Sequence, residues 1–129
     1  MSPRIIYLGV DDSYRPQVLK RAGYSVVECR SVRHLHSTLI QFPEPAAVAI
    51  AGDSETDACE ALSVVRSHCT APTVLFQGGT HFFRASEFDF VVPPLTAPHQ
   101  WLNHLASVIE ENRALRTRSR MGCAVQFTA

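Results

Sequence analysis

Short apolar runs alternate with amphipathic stretches along the whole chain. Arg4 to Val10 (RIIYLGV) is almost wholly apolar and rich in β-formers, the pattern of a strand covered on both faces. Gln17 to Ala22 has the spacing of a short helix, with Pro16 tolerated in its first turn and Gly23 placed to stop it. Ser25 to Cys29 is a second strand. Val32, Leu35, Leu39 and Ile40 then recur at helical spacing until Pro43 and Pro45 end that helix. Ala46 to Ala51 is a third strand, released by Gly52 into the polar loop Asp53-Ser54-Glu55. Thr56 is placed to cap the next helix, Asp57 and Glu60 favour its N-terminus, and Ala58, Leu62 and Val65 form its apolar stripe. Thr73 to Phe76 is a fourth strand, broken by Gly78-Gly79; Thr80 to Ser86 reads either as loop or as one or two turns of helix. Phe88 to Val92 is a fifth strand that stops at Pro93-Pro94. From Pro98, the residues Trp101, Leu102, Leu105, Val108 and Ile109 trace one face of a closing helix.

Parallel neighbours need crossovers, and those crossovers are right-handed, so five strands joined by helices predict a parallel sheet with helices on both faces. The simplest arrangement is α/β, a flavodoxin-like three-layer sandwich with strand order 2-1-3-4-5. A site in such a sheet lies outside the carboxyl ends of the strands, at the switch point between strands one and three. Asp11, Asp12, Gly52, Asp53, Gln77 and Gly78 fall along that edge.

The chain has 129 residues, enough for one domain with a real core; such a domain buries roughly two-thirds of the surface its unfolded chain exposes. Hydrophobic residues make up 46% and charged residues 19%, a composition that excludes disorder and predicts a soluble protein. Twelve basic and twelve acidic residues cancel, so no global field draws the chain to nucleic acid or anionic membrane. No apolar run approaches the roughly 20 residues that span a bilayer, and there is no secretory leader, so a cytoplasmic location is expected. Cys29, Cys59, Cys69 and Cys123 form no C-x-x-C pair and read as buried or partly buried free thiols. His68 beside Cys69 lacks a second local pair of metal ligands, and His34 and His36 lie on different faces of their helix, as surface residues. Neither a G-x-G-x-x-G nor a Gly-Lys-Ser/Thr phosphate loop is present, and Ser13, Ser31 and Ser54 sit in no nucleophile elbow.

The order of elements, the acidic pair Asp11-Asp12 after the first strand, the segment Ala46 to Ala51, and the strand Phe88 to Val92 ending at Pro93-Pro94 resemble the receiver domain of bacterial response regulators over about residues 4 to 112. The resemblance implies a phosphorelay module without enzymatic activity of its own. It divides the chain into a receiver-like domain, residues 1–112, and a C-terminal helical extension and tail, residues 113–129. It implies that Asp11 and Asp12 would hold Mg²⁺, since clustered carboxylates suit a hard cation. It also identifies three changed positions. The phosphoryl-accepting aspartate aligns with Ala51, the small hydroxyl residue at the end of strand four with Gln77, and the lysine at the end of strand five with Pro93. A methyl group cannot attack a phosphoryl donor, and proline offers neither a cation nor an N–H.

The resulting expectation is a degenerate receiver, or pseudo-receiver, that acts through protein contacts with a signalling kinase or an effector domain, and as a homodimer. One alternative is a working receiver that uses Asp53 with Asp11 and Asp12. That shift moves the nucleophile along the chain by two residues, each worth roughly 3.3 Å. A third reading is a small flavodoxin-like enzyme or ligand-binding module. Phe82-Phe83-Arg84 is either a sticky patch for self-association or, for its phenylalanines, core. After Ile109, Glu110 to Arg116 continues the helical period; Val108 and Leu115 offer a brief two-helix seam, Arg116, Arg118 and Arg120 a short solvated basic run, and Met121 to Ala129 a frayed tail.

Overall fold

A computed structural model describes residues 3–9, 14–52, 54–77, 84–94 and 96–128, with side chains as far as Leu115. The strands are β1 (Arg4–Leu8), β2 (Ser25–Cys29), β3 (Ala47–Gly52), β4 (Thr73–Gln77) and β5 (Phe90–Val92). The helices are α1 (Arg15–Arg21), α2 (Val32–Gln41), α3 (Glu55–His68) and α4 (Pro98–Thr128). All strand pairs are parallel and the order is β2-β1-β3-β4-β5, as the alternating pattern predicts.

Successive residues of each strand feed opposite faces, so the sheet builds two cores. On one side Ile6, Leu8, Val48, Ile50 and Leu75 pack with Leu35 and Leu39 of α2 and with Leu62 and Val65 of α3. On the other, Ile5, Tyr7, Ala49, Val74 and Phe76 pack with Leu19 of α1 and with Trp101, Leu105 and Ile109 of α4. The sheet is thus covered on both faces, which explains why its strands read as unbroken apolar runs.

Local chemistry sets the helix ends. Gly23 adopts φ +103°, and two bonds close the end of α1: Gly23 N–H to the Lys20 carbonyl and Tyr24 N–H to the Leu19 carbonyl, both 3.1 Å. Only glycine takes that left-handed turn without strain. Ser31 caps α2 by accepting from His34 N–H at 3.1 Å. For α3 the cap is Ser54, which accepts from Asp57 N–H at 3.3 Å, so the helix starts at Glu55 and Thr56 lies inside its first turn rather than capping it.

Three further boundaries differ from the sequence expectation. The fifth strand begins at Phe90 because the two residues before it serve other partners. Phe88 is buried in the core beneath α2 and α3, and the Asp89 carboxylate accepts from Thr73 N–H at 2.8 Å and from Thr73 Oγ1 at 3.1 Å. Among the described residues the β4–β5 connection holds a single 3₁₀ turn, Ala85–Glu87, whose last carbonyl accepts from the Arg66 guanidinium. The closing helix continues beyond Arg116, as the helical period expected, and does not give way to a frayed tail at Met121; it is continuous to Thr128, with no proline after Pro98. Asn112 ties it down by donating to the Thr70 carbonyl at 3.2 Å.

The described cysteines are free: Cys29 buried, Cys59 and Cys69 half-buried. Cys29 donates through Sγ to Thr38 Oγ1 at 3.3 Å, and Thr38 donates in turn to the His34 carbonyl at 2.8 Å. Burial pushes the Cys29 thiol up, an effect only partly offset by its hydrogen bond with Thr38. Native alkylation with iodoacetamide at neutral pH is therefore expected to mark Cys59 and Cys69 and to spare Cys29 until denaturant is added. Peptide mass mapping reads this directly, and equal labelling of all three would contradict the packing of α2 on β2.

Candidate functional site

The carboxyl ends of β1, β3, β4 and β5 form one rim. Register fixes which side chains meet there: Ala51 lies opposite Phe76, Gly52 opposite Gln77, and Phe76 opposite Val92. Pro93 follows Val92 directly and so sits at the level of Gln77, one strand over. Neighbouring strands are about 4.8 Å apart. The three positions singled out in the sequence, Ala51, Gln77 and Pro93, therefore lie at the ends of three adjacent strands. Ala51 and Gln77 are half-buried and Pro93 is exposed. Ala51 packs on the α1/α4 face with Phe76, whereas Gln77, one residue further, shares the opposite face with Gly52.

The chemistry along this stretch is sparse. β3 stays in register with β4 through Gly52, so the last two residues of the strand offer a methyl group and a hydrogen. Gln77 brings a carboxamide. Asp11, Asp12 and Asp53, together with Gly78, Gly79, Phe82 and Phe83, lie outside the described residues. Among the described residues no group of three His, Cys, Asp or Glu side chains is placed to hold a metal ion.

Sequence reasoning missed one cation near the rim. The Arg15 guanidinium carbon lies 4.6 Å from the centroid of the Phe76 ring, an arrangement that attracts the cation to the ring face. Phe76 is itself held edge-on by Trp101 at 5.1 Å. The end of β4 therefore carries positive charge delivered from α1. The available signal was a basic residue in the first turn of a helix, where the macrodipole favours acids.

At the other end of the sheet, the Arg4 guanidinium carbon lies 4.0 Å from the Phe42 ring centroid, and its Nε is buried without a hydrogen-bond partner. His34 and His36 are exposed, as expected. The His36 ring meets His68 of α3 edge-on, with centroids 4.7 Å apart. No described helix is long and apolar enough to cross a membrane.

Comparison with known proteins places the architecture. No protein-family model matches the sequence, and no curated protein matches it either. Solved structures do match. The N-terminal domain of a response regulator/sensory box/GGDEF three-domain protein from Carboxydothermus hydrogenoformans superposes with a TM-score of 0.73 at 11% identity, over 86% of this chain and 97% of that one. A signal receiver domain from Vibrio parahaemolyticus gives 0.71 at 10% identity, over 91% and 97%. The BeF₃-activated N-terminal receiver domain of RstA from Klebsiella pneumoniae gives 0.65 at 15% identity, over 82% and 97%.

Proposed function

From a chain with the receiver-domain fold of response regulators, we propose a signalling module of the two-component type that works through protein contacts and does not itself accept a phosphoryl group. The observation that carries this reading is the shared rim of Ala51, Gln77 and Pro93. Phosphoryl transfer depends on a positioned nucleophile and on cations that neutralise developing charge. At the aligned positions the nucleophile is a methyl group and the lysine a proline. The module is a cytoplasmic, non-enzymatic adaptor whose partners are a kinase or an effector domain and a second copy of itself. The helix α4 supports the self-association, since Leu115 on its outer face is 61% exposed, a large apolar side chain left in water. The balanced charge gives no reason to include nucleic acid among the partners.

The test is incubation with Mg²⁺ and acetyl phosphate, and separately with beryllofluoride. The intact mass is expected to stay unchanged, and the NMR spectrum to show no saturable shift. A phosphoadduct abolished by Asp53→Asn would replace this reading with a working receiver whose Mg²⁺ is held by Asp11 and Asp12.

A further inference from the structure

At the end of the sheet opposite the rim, where β1, β3 and β4 begin, the α2–β3 and α3–β4 connections wall a cavity of about 620 Å³. Arg4, Phe42, Glu44, His68, Cys69 and Thr70 are among its lining residues. Arg4 is the first residue of β1, so the sheet itself anchors its backbone, and the aromatic ring of Phe42 fixes where its guanidinium lies.

The hydrogen bonding of that guanidinium is incomplete within the protein. Its Nε is sealed from solvent with no acceptor, and no carboxylate among the described residues pairs with Arg4. That Nε lies out of a ligand's reach, but Arg4 also lines the cavity, and the paired Nη groups of a guanidinium match a planar carboxylate through two parallel N–H···O bonds. His68 on the same wall adds a second nitrogen donor, with its ring position supported by the edge-on contact from His36. Phe42 offers apolar surface for the body of the ligand. Glu44 also lines the cavity, and its negative charge opposes a dianion more than a monoanion, which favours a carboxylate over a phosphate.

We propose that this cavity binds a small organic carboxylate, whose oxygens accept hydrogen bonds from Arg4. The site gives the module a chemical input far from the rim, and it stands whether or not Asp53 accepts a phosphoryl group. Its effect has a direct route outward. Thr70 on the cavity wall holds α4 through the bond from Asn112, so occupancy acts on the anchorage of that helix.

The test uses the full chain labelled with ¹⁵N and titrated with acetate, benzoate, neutral benzamide and inorganic phosphate. Acetate or benzoate is expected to shift the amides of Phe42, Cys69 and Thr70 saturably, and to move the Asn112 side-chain amide with them. Benzamide is expected to leave them in place. Arg4→Met should weaken carboxylate binding at least about tenfold, the scale expected when a charge-assisted bidentate pair is lost. Should Arg4→Met fail to fold, Arg4→Lys keeps the charge but lacks the fork, and weaker binding by that variant carries the same meaning. The proposal is overturned if neither carboxylate gives a saturable shift, if phosphate binds more tightly than both, or if the folded Arg4 variant binds as the parent does.

Discussion

Replacing Trp101 by alanine is expected to cost about 3–5 kcal/mol of folding stability, the scale seen when a large buried aromatic is truncated and its neighbours cannot close the gap. Trp101 is 2% exposed and meets Phe76 edge-on, while Phe76 in turn contacts Tyr7 across the same face, with ring centroids 6.2 Å apart. Removing the indole therefore takes away the keystone between α4 and the middle of the sheet. Domains of this kind are stable by roughly 5–15 kcal/mol, so the loss is a large share of the total. Urea unfolding followed by circular dichroism checks it: the midpoint should fall sharply with the slope unchanged. Glu111→Ala, at an exposed position of the same helix, is the control and should change stability by no more than about 0.5 kcal/mol. Equal effects from the two would mean that α4 does not dock through Trp101.

The second large effect is a gain of chemistry. A chain carrying Ala51→Asp, Gln77→Thr and Pro93→Lys together is expected to acquire the mass of one phosphoryl group when incubated with Mg²⁺ and acetyl phosphate, where the parent does not. The triple change adds a carboxylate, a hydroxyl and a cation at the ends of three adjacent strands, the carboxylate from the α1/α4 face and the hydroxyl from the other, so that they meet only at the rim itself. The double variant that keeps Ala51 should remain unmodified, because positioning and charge without a nucleophile do not make the bond. A triple variant that folds, shown by an unchanged far-ultraviolet spectrum, yet stays unmodified would remove Ala51 from the phosphoacceptor position. Phosphorylation of the double variant would point to Asp53 instead.

Much of the architecture was legible because each strand announces itself by composition. Ala47 to Ile50 is apolar at every position, and that happens when both faces are covered, so the parallel sheet followed without any motif. Boundaries were harder where one residue type serves two purposes. Ser54 and Thr56 are both hydroxyl residues ahead of an apolar stripe; the deciding signal was Asp57, placed three residues after Ser54 in the spacing of a capping box, which marks Ser54 as the cap. Phe88-Asp89-Phe90 alternates like a strand, yet the Asp89 carboxylate is spent on the first N–H of β4. The meeting of Arg4 with Phe42 and of His36 with His68 joins residues far apart in the chain, and no local spacing encodes it. At the rim, the strand ends Ala51, Gln77 and Pro93 could be placed through the resemblance, whereas Arg15 could not, because its position depends on how α1 crosses Phe76.

The unbroken course of α4 has a mechanical consequence. The Asn112 side chain ties it to the domain, and the backbone stays helical to Thr128, so the helix beyond that tie extends as an arm from the Thr70 carbonyl. Sixteen residues of helix make an arm about 24 Å long, and a swing of about 10° at the pivot moves its tip by about 4 Å. Because the arm is helical, each residue added or removed along it would also turn whatever it carries by about 100°. Angle and phase, rather than charge, are then the quantities that a shift at this pivot would change at the end of the helix.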